Sequence, residues 1–199
     1  MRSNVCKIDQ GNKDLAAILK ESEKVAKYNG LDHKKTMQLR LLCEEIDGLL
    51  PNIISEFEGD FWIEFEGDLC RINVSIHVPE FSAAKKAELI GIAKNKKNAA
   101  ACGLVGKIRS AIESFFLKEE TVSAFDASAG AFYLAAGYSS GPDYSHFWSL
   151  EQYRSTVKKE ERAEAWDELE KSVISSVADD VIVGVKGNRA DIVIVKKFA

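Results

Sequence analysis

Leu39-Arg-Leu-Leu-Cys-Glu-Glu-Ile-Asp-Gly-Leu-Leu50 is a strongly apolar stretch that carries two acids, Glu44 and Glu45, on its middle turn. Its apolar residues recur at helical spacing and continue on both sides. We therefore predict a long helix that Asp32 caps and that Pro51 kinks or restarts. The predicted apolar face consists of Met37, Leu41, Leu42, Ile46, Leu49, Leu50, Ile53 and Ile54.

Two other parts of the chain alternate apolar and polar residues around a turn, which is the pattern of a β-hairpin. The turns fall at Gly67-Asp68, between residues 60–66 and 69–78, and at residues 186–188, between 181–185 and 190–196. The remaining pattern predicts a strand at residues 4–9 and helices at 13–28, 81–94, 103–117, 148–158 and 164–177. This order indicates an α+β fold, a two-layer sandwich whose mixed or antiparallel sheet is covered on one face by helices.

The 199 residues fit a single domain with an insertion at about residues 118–163. The first part of this insertion, residues 118–148, is irregular and rich in glycine, serine and aromatic residues. Such segments form lids, bind partners or fold back to complete the core, and the sequence leaves these three roles open.

The composition argues against several classes of partner. A formal net charge of -4 gives no broad basic field, so we expect neither nucleic acid nor anionic membrane as a partner. Residues 1–30 hold no secretion signal and no membrane-spanning run, which predicts a cytoplasmic protein. The four cysteines form no CxxC pair and have no histidine at ligand spacing, so we expect reduced, mostly buried thiols and no metal site.

Residues 41–46, Leu-Leu-Cys-Glu-Glu-Ile, and the closing stretches 180–185 and 189–194 resemble motifs of the histidine-kinase-like ATPase (Bergerat) fold. Within that superfamily the chain looks most like the small anti-sigma-factor serine kinases. The resemblance covers residues 4–117 and 164–198, and residues 95–103 and 148–154 are similar to stretches in a narrower group of bacterial proteins. It implies ATP and magnesium as ligands, a protein partner and a homodimer, although no apolar stripe is left over for a dimer interface.

The functional positions of that family are only partly kept. The family's motif glutamate polarises the attacking water or hydroxyl. Glu44 is the matching residue, and Glu45 is the substitute if the register slips by one; the alternative is that both acids are solvent-facing helix charges. Gly48 stands where the family has the asparagine that holds magnesium, and a glycine has no side-chain ligand. Val78 stands where the family has the aspartate that accepts from adenine. These departures predict a degenerate nucleotide site.

The strongest argument for a bound ligand in these residues is a phosphate site. Backbone amides at a helix N-terminus bind anions, and nearby lysines strengthen that binding. The candidate residues are Lys94, Lys96, Lys97, Asn98, Gly103 and Gly106. The alternative is a solvated basic loop followed by small residues that pack against a neighbouring helix.

These observations predict a regulatory or binding protein on an ATPase-like scaffold, which acts through protein partners in bacterial signalling. The alternative is a functional ATP-binding protein or an anti-sigma-factor-like serine kinase. Under that alternative the activity is that of an ATP-dependent protein serine kinase or an ATPase. The losses at Gly48 and Val78 favour the first prediction.

Overall fold

The computed structural model of the protein describes residues 1–9, 15–54, 57–77, 103–118, 146–156, 172–186 and 188–199. These residues form the following elements in chain order: β1 Cys6–Asp9, α1 Leu15–Tyr28, α2 His33–Ile53, β2 Glu58–Glu66, β3 Leu69–His77, α3 Gly103–Lys118, β4 His146–Ser149, α4 Leu150–Thr156, α5 Val173–Val177, β5 Asp180–Lys186 and β6 Arg189–Lys197.

The strands of these described residues form one six-stranded sheet in the order β1-β2-β3-β6-β5-β4, and every neighbouring pair is antiparallel. Glu66 pairs with Leu69 across the two-residue turn Gly67-Asp68. Gly67 adopts a φ of 62°, a conformation that costs glycine little. Lys186 pairs with Arg189 in the same way. Both predicted hairpins and the α+β class with an antiparallel sheet are confirmed.

The two faces of the sheet differ in what packs against them. One face carries alternate strand residues such as Phe61, Ile72 and Ile192, which join the buried side chains of the helices in one large apolar cluster. The other face holds a smaller cluster of strand residues only, in which Leu69 and Phe147 flank buried Ile182, Val193 and Val195. The described helices therefore supply their buried side chains to one face, as the sequence predicted.

Helix α2 forms as predicted, but two residues predicted on its apolar face are exposed. Asp32 caps it by accepting a hydrogen bond from the Lys35 N–H at 2.8 Å, and the helix continues through Pro51 to Ile53. Met37 and Leu41, which were assigned to the apolar face, are 45% and 36% exposed. In α1, helical spacing also groups Tyr28 with the apolar residues Leu15, Ile18, Leu19 and Val25, which predicts that it is buried, but Tyr28 is 74% exposed. These three assignments are wrong, because α1 and α2 pack through other residues.

A strand lies where the sequence predicted the start of a helix. Trp148 and Ser149 belong to β4, in which Trp148 pairs with Val183 and Ser149 pairs with Ile182 of β5. Helix α4 begins only at Leu150. Residues 146–156 of the predicted insertion therefore form part of the sheet and its helical cover, whereas 119–145 and 157–163 lie outside the described residues.

The described cysteines are buried and form no disulfide bond. Cys6, Cys43 and Cys70 belong to the large core cluster. Burial raises the pKa of the Cys43 and Cys70 thiols well above the ordinary value, because a thiolate loses its hydration there. The prediction of reduced, buried thiols is confirmed for these three residues, and Cys102 lies outside the described part of the chain.

Candidate functional site

Glu44 lies on the outward side of α2. The buried residues of this helix are Leu39, Leu42, Cys43, Ile46, Leu49, Leu50 and Ile53, which share one side. Positions 44 and 48 are about one helical turn apart and fall on the opposite side. Glu44 and Gly48 therefore share one outward face.

Arg40 holds the Glu44 carboxylate from one turn earlier on the same helix. Its Nε lies 3.1 Å from Glu44 Oε1, and its Nη1 lies 2.8 Å from Glu23 Oε1 on α1. The Arg40 and Glu44 side chains are 37% and 39% exposed, and exposed ion pairs contribute only about 0–1 kcal/mol. This network therefore orients Glu44 toward its own helix and adds little to stability.

Gly48 supplies no side-chain ligand for a magnesium ion. Magnesium requires oxygen ligands in a nearly octahedral arrangement, and Gly48 has no side chain to supply one. The Asn52 side chain, one turn further on, donates from Nδ2 to the Gly48 carbonyl oxygen at 3.0 Å. Within the described residues, no group of three or more His, Cys, Asp or Glu side chains is suited to a metal.

The predicted phosphate site is described only in part. Helix α3 begins at Gly103, which has a φ of 69°, and Gly106 is buried in its first turn. A buried glycine at this point matches the alternative prediction of small residues packed against a neighbour, and α3 does contact α2. Lys94, Lys96, Lys97 and Asn98 lie outside the described residues, so the site that they were predicted to form stays a prediction.

The C-terminal end of β3 contacts the hairpin formed by β5 and β6. His77 is exposed, and its Nε2 lies 3.3 Å from Nδ2 of Asn188 in the turn between β5 and β6. His77 also pairs with Arg189 in the sheet register. Val78, the predicted substitute for the adenine acceptor, lies outside the described residues.

The sequence did not predict a buried acid that joins β5 to α4. Asp180 accepts hydrogen bonds from the Glu151 N–H at 2.9 Å and from the Ser149 hydroxyl at 3.0 and 3.1 Å. Ser149 Oγ in turn accepts from the Gln152 N–H at 3.2 Å. Both side chains therefore cap α4. Ser149, directly before α4, is a sequence signal for a helix cap. Asp180 gives no such signal, because it lies in a strand about thirty residues later in the chain.

Replacing Gly48 with alanine should raise the free energy of unfolding by about 0.5–1 kcal/mol, because glycine disfavours a helix interior. A Cβ added at Gly48 would meet no atom within 4 Å. Urea unfolding measures the change, and Gly67→Ala is the matched control. Its positive φ of 62° should make that variant less stable by about 1 kcal/mol. If Gly48→Ala were less stable than wild type, the prediction would be contradicted, and position 48 would need a backbone conformation or a space that only glycine allows.

Comparisons of the chain with protein-family models, with curated proteins and with solved structures found no match. None of the helices in the described ranges combines the length and the apolar character needed to cross a membrane.

Proposed function

We propose that this protein is a regulatory or binding module on a histidine-kinase-like ATPase scaffold, with a degenerate nucleotide site, that acts through protein partners in bacterial signalling. The observation that carries the proposal is the outward face of α2, where Glu44 is followed one turn later by Gly48 and not by a metal ligand. One fold supports many functions, because function depends on the site and not on the scaffold, so loss of the metal ligand is compatible with a binding role.

Two contacts support this proposal. Glu44 is engaged by Arg40 of its own helix, and Arg40 also engages Glu23. A general base must instead be directed at the nucleophile that it activates. The amide of Asn52, the nearest side chain that could replace the missing asparagine, donates to the Gly48 carbonyl oxygen.

The alternative function is an active ATP-binding protein or a serine kinase of the anti-sigma-factor type. One observation favours it: α3 starts at Gly103 with a left-handed glycine, and its first turn contains no acidic residue that would repel a phosphate. This alternative would use Glu44 with Lys94, Lys96 and Lys97.

A thermal shift titration with ATP and magnesium separates the two functions. We expect no change in Tm, because Gly48 supplies no side-chain ligand where the family's asparagine would hold the metal. Saturating an active site at one hundred times its Kd would add about 2.7 kcal/mol of stability, equivalent to about 5–10 °C for a chain of this size. The titration is therefore sensitive enough to detect a functional site.

Two variants identify the source of any shift. Magnesium-dependent stabilisation that persists in Glu44→Gln but weakens in Lys97→Ala would contradict the proposal and support the alternative. Glu44→Gln removes the charge without changing the shape of the side chain, so it tests the catalytic position without disturbing α2. Lys97→Ala tests the predicted phosphate contact.

A further inference from the structure

Asn29-Gly30, which directly follows α1, is the only asparagine–glycine pair in the sequence. The backbone nitrogen of the residue after an asparagine can attack the side-chain carboxamide. Glycine has no side chain to hinder this approach, and its backbone adopts conformations that other residues avoid. Asn29 is half-buried and Gly30 is exposed, so water reaches this turn. The pair therefore has the composition and the exposure of a site of spontaneous modification.

The fold engages the attacking nitrogen in a helix cap. The Gly30 N–H donates to the Lys27 carbonyl oxygen at 3.2 Å, and the Leu31 N–H donates to the Ala26 carbonyl oxygen at 3.0 Å. Gly30 has a φ of 65°. Two bonds of this pattern around a left-handed glycine form a Schellman motif, which closes the C-terminal end of a helix. The Gly30 nitrogen must leave this motif before it attacks Asn29.

The Asn29 side chain is held away from that nitrogen. Its Nδ2 donates to the Val25 carbonyl oxygen at 2.8 Å and lies 3.6 Å from Sδ of Met1. Val25 lies about one helical turn before Asn29, so the carboxamide lies along the preceding turn of α1. The Gly30 nitrogen follows Asn29 in the chain. Two hydrogen bonds, one at each reacting group, therefore have to break before the groups meet.

We propose that Asn29 is a deamidation site that the C-terminal cap of α1 protects, so that the reaction proceeds only when this cap opens. The Gly30 nitrogen then gives up its proton and bonds to Cγ of Asn29. The amide nitrogen takes up a proton and leaves as ammonia, and a succinimide ring remains. Water opens this ring at either carbonyl carbon, which gives aspartate or isoaspartate. The reaction uses no nucleotide, so the site is independent of the proposed function.

Deamidation changes the cap that controls it. Aspartate has no N–H to donate to the Val25 carbonyl oxygen, and its charge adds to the negative end of the helix dipole. Isoaspartate lengthens the backbone between residues 29 and 30, so the two Schellman bonds no longer fit. Both products therefore favour the open cap. Asn29→Asp reproduces the first product and should have a lower Tm than wild type, and an equal Tm would contradict this effect.

Peptide mapping of the full chain tests the proposal. Samples are incubated in mildly alkaline buffer, folded or in guanidinium chloride, and trypsin then releases residues 28–34 by cutting after Lys27 and Lys34. Mass spectrometry follows the conversion of amide to acid in this peptide, and a sample digested without incubation corrects for conversion during digestion. The folded chain should deamidate at least about tenfold more slowly than the denatured chain, because opening breaks both hydrogen bonds.

Two leucine variants separate local opening of the cap from unfolding of the whole chain. Leu31 and Leu19 are both half-buried and pack against the core, but only Leu31 belongs to the cap. Leu31→Ala should raise the rate in the folded chain by about threefold or more, because an apolar residue at this position supports a Schellman motif. Leu19→Ala, the matched control, should leave the rate unchanged.

Three results would overturn the proposal. They are equal rates in the folded and the denatured wild type, no deamidation of the denatured chain, and equal rates in the folded Leu31→Ala and Leu19→Ala variants. The first two are measured on wild type alone, so they decide the matter even where a variant does not fold. None of the three depends on whether ATP with magnesium changes the Tm.

Discussion

Replacing Asp180 with alanine should lower the free energy of unfolding by about 3 kcal/mol. Asp180 is 7% exposed, and its Oδ1 accepts from the backbone N–H groups of Glu151 and Val181 at 2.9 and 2.7 Å. Alanine would leave both donors without this acceptor, at a cost of about 1–3 kcal/mol each, partly relieved by water. Urea unfolding followed by circular dichroism measures the loss.

Asp180→Asn separates the charge of this side chain from its shape. Burial is the largest influence on the Asp180 carboxyl and raises its pKa, although hydrogen bonds from Glu151, Ser149 and Val181 oppose the rise. The stability that Asp180 contributes is therefore complete below the unfolded-state pKa of about 3.9 and decreases as pH rises through the folded-state value. Asparagine does not titrate. As pH rises from the unfolded-state pKa through the folded-state pKa, Asp180→Asn should therefore become more stable relative to wild type. A difference that stays constant with pH would contradict the assignment.

Gly59→Val should destabilise the sheet by about 3 kcal/mol, and Gly59→Ala by slightly less. Gly59 lies in β2 between Ile8 of β1 and Ile76 of β3. A Cβ at this position would overlap the Ser75 carbonyl oxygen and lie 2.9 Å from Cγ2 of Ile76. The backbone oxygen cannot rotate away, so the strands must separate locally.

Thermal and urea unfolding measure the effect, and Gly48→Ala serves as its counterpart with the opposite expected sign. If Gly59→Ala were as stable as wild type, β2 would have to be mobile enough to absorb a displacement of several tenths of an ångström. This result would contradict the close pairing of β2 with β3.

Much of the fold was predictable because its signals are local. The Gly67-Asp68 turn, the Asp32 cap and the alternation of Phe61, Ile63 and Phe65 each act within a few residues. β4 was not predictable in this way, since it is only four residues long and runs directly into α4. Its partner β5 follows about thirty residues later, and no local pattern specifies that pairing.

The candidate site was predictable only where helical geometry decides it. The shared face of Glu44 and Gly48 follows from their spacing. The contact between Arg40 and Glu23 depends on how α1 packs against α2, which the sequence of one helix does not contain. Met37 and Leu41 were misassigned because apolar residues extend around more than half of α2, and spacing alone does not decide which of them meet the sheet.

The pairing of β3 with β6 determines when this protein can finish folding. β2 and β3 form a local hairpin, as do β5 and β6, but the two halves of the sheet join only between Leu69–His77 and Arg189–Lys197. Closing so long a loop is slow, because its entropy is lost before the contacts form. Until β6 emerges from the ribosome, β3 presents an unpaired edge of nine residues that is apolar on one face, the kind of edge on which chains aggregate. This strand order therefore leaves the apolar face and the free edge of β3 exposed for as long as the last strand of the sheet is missing.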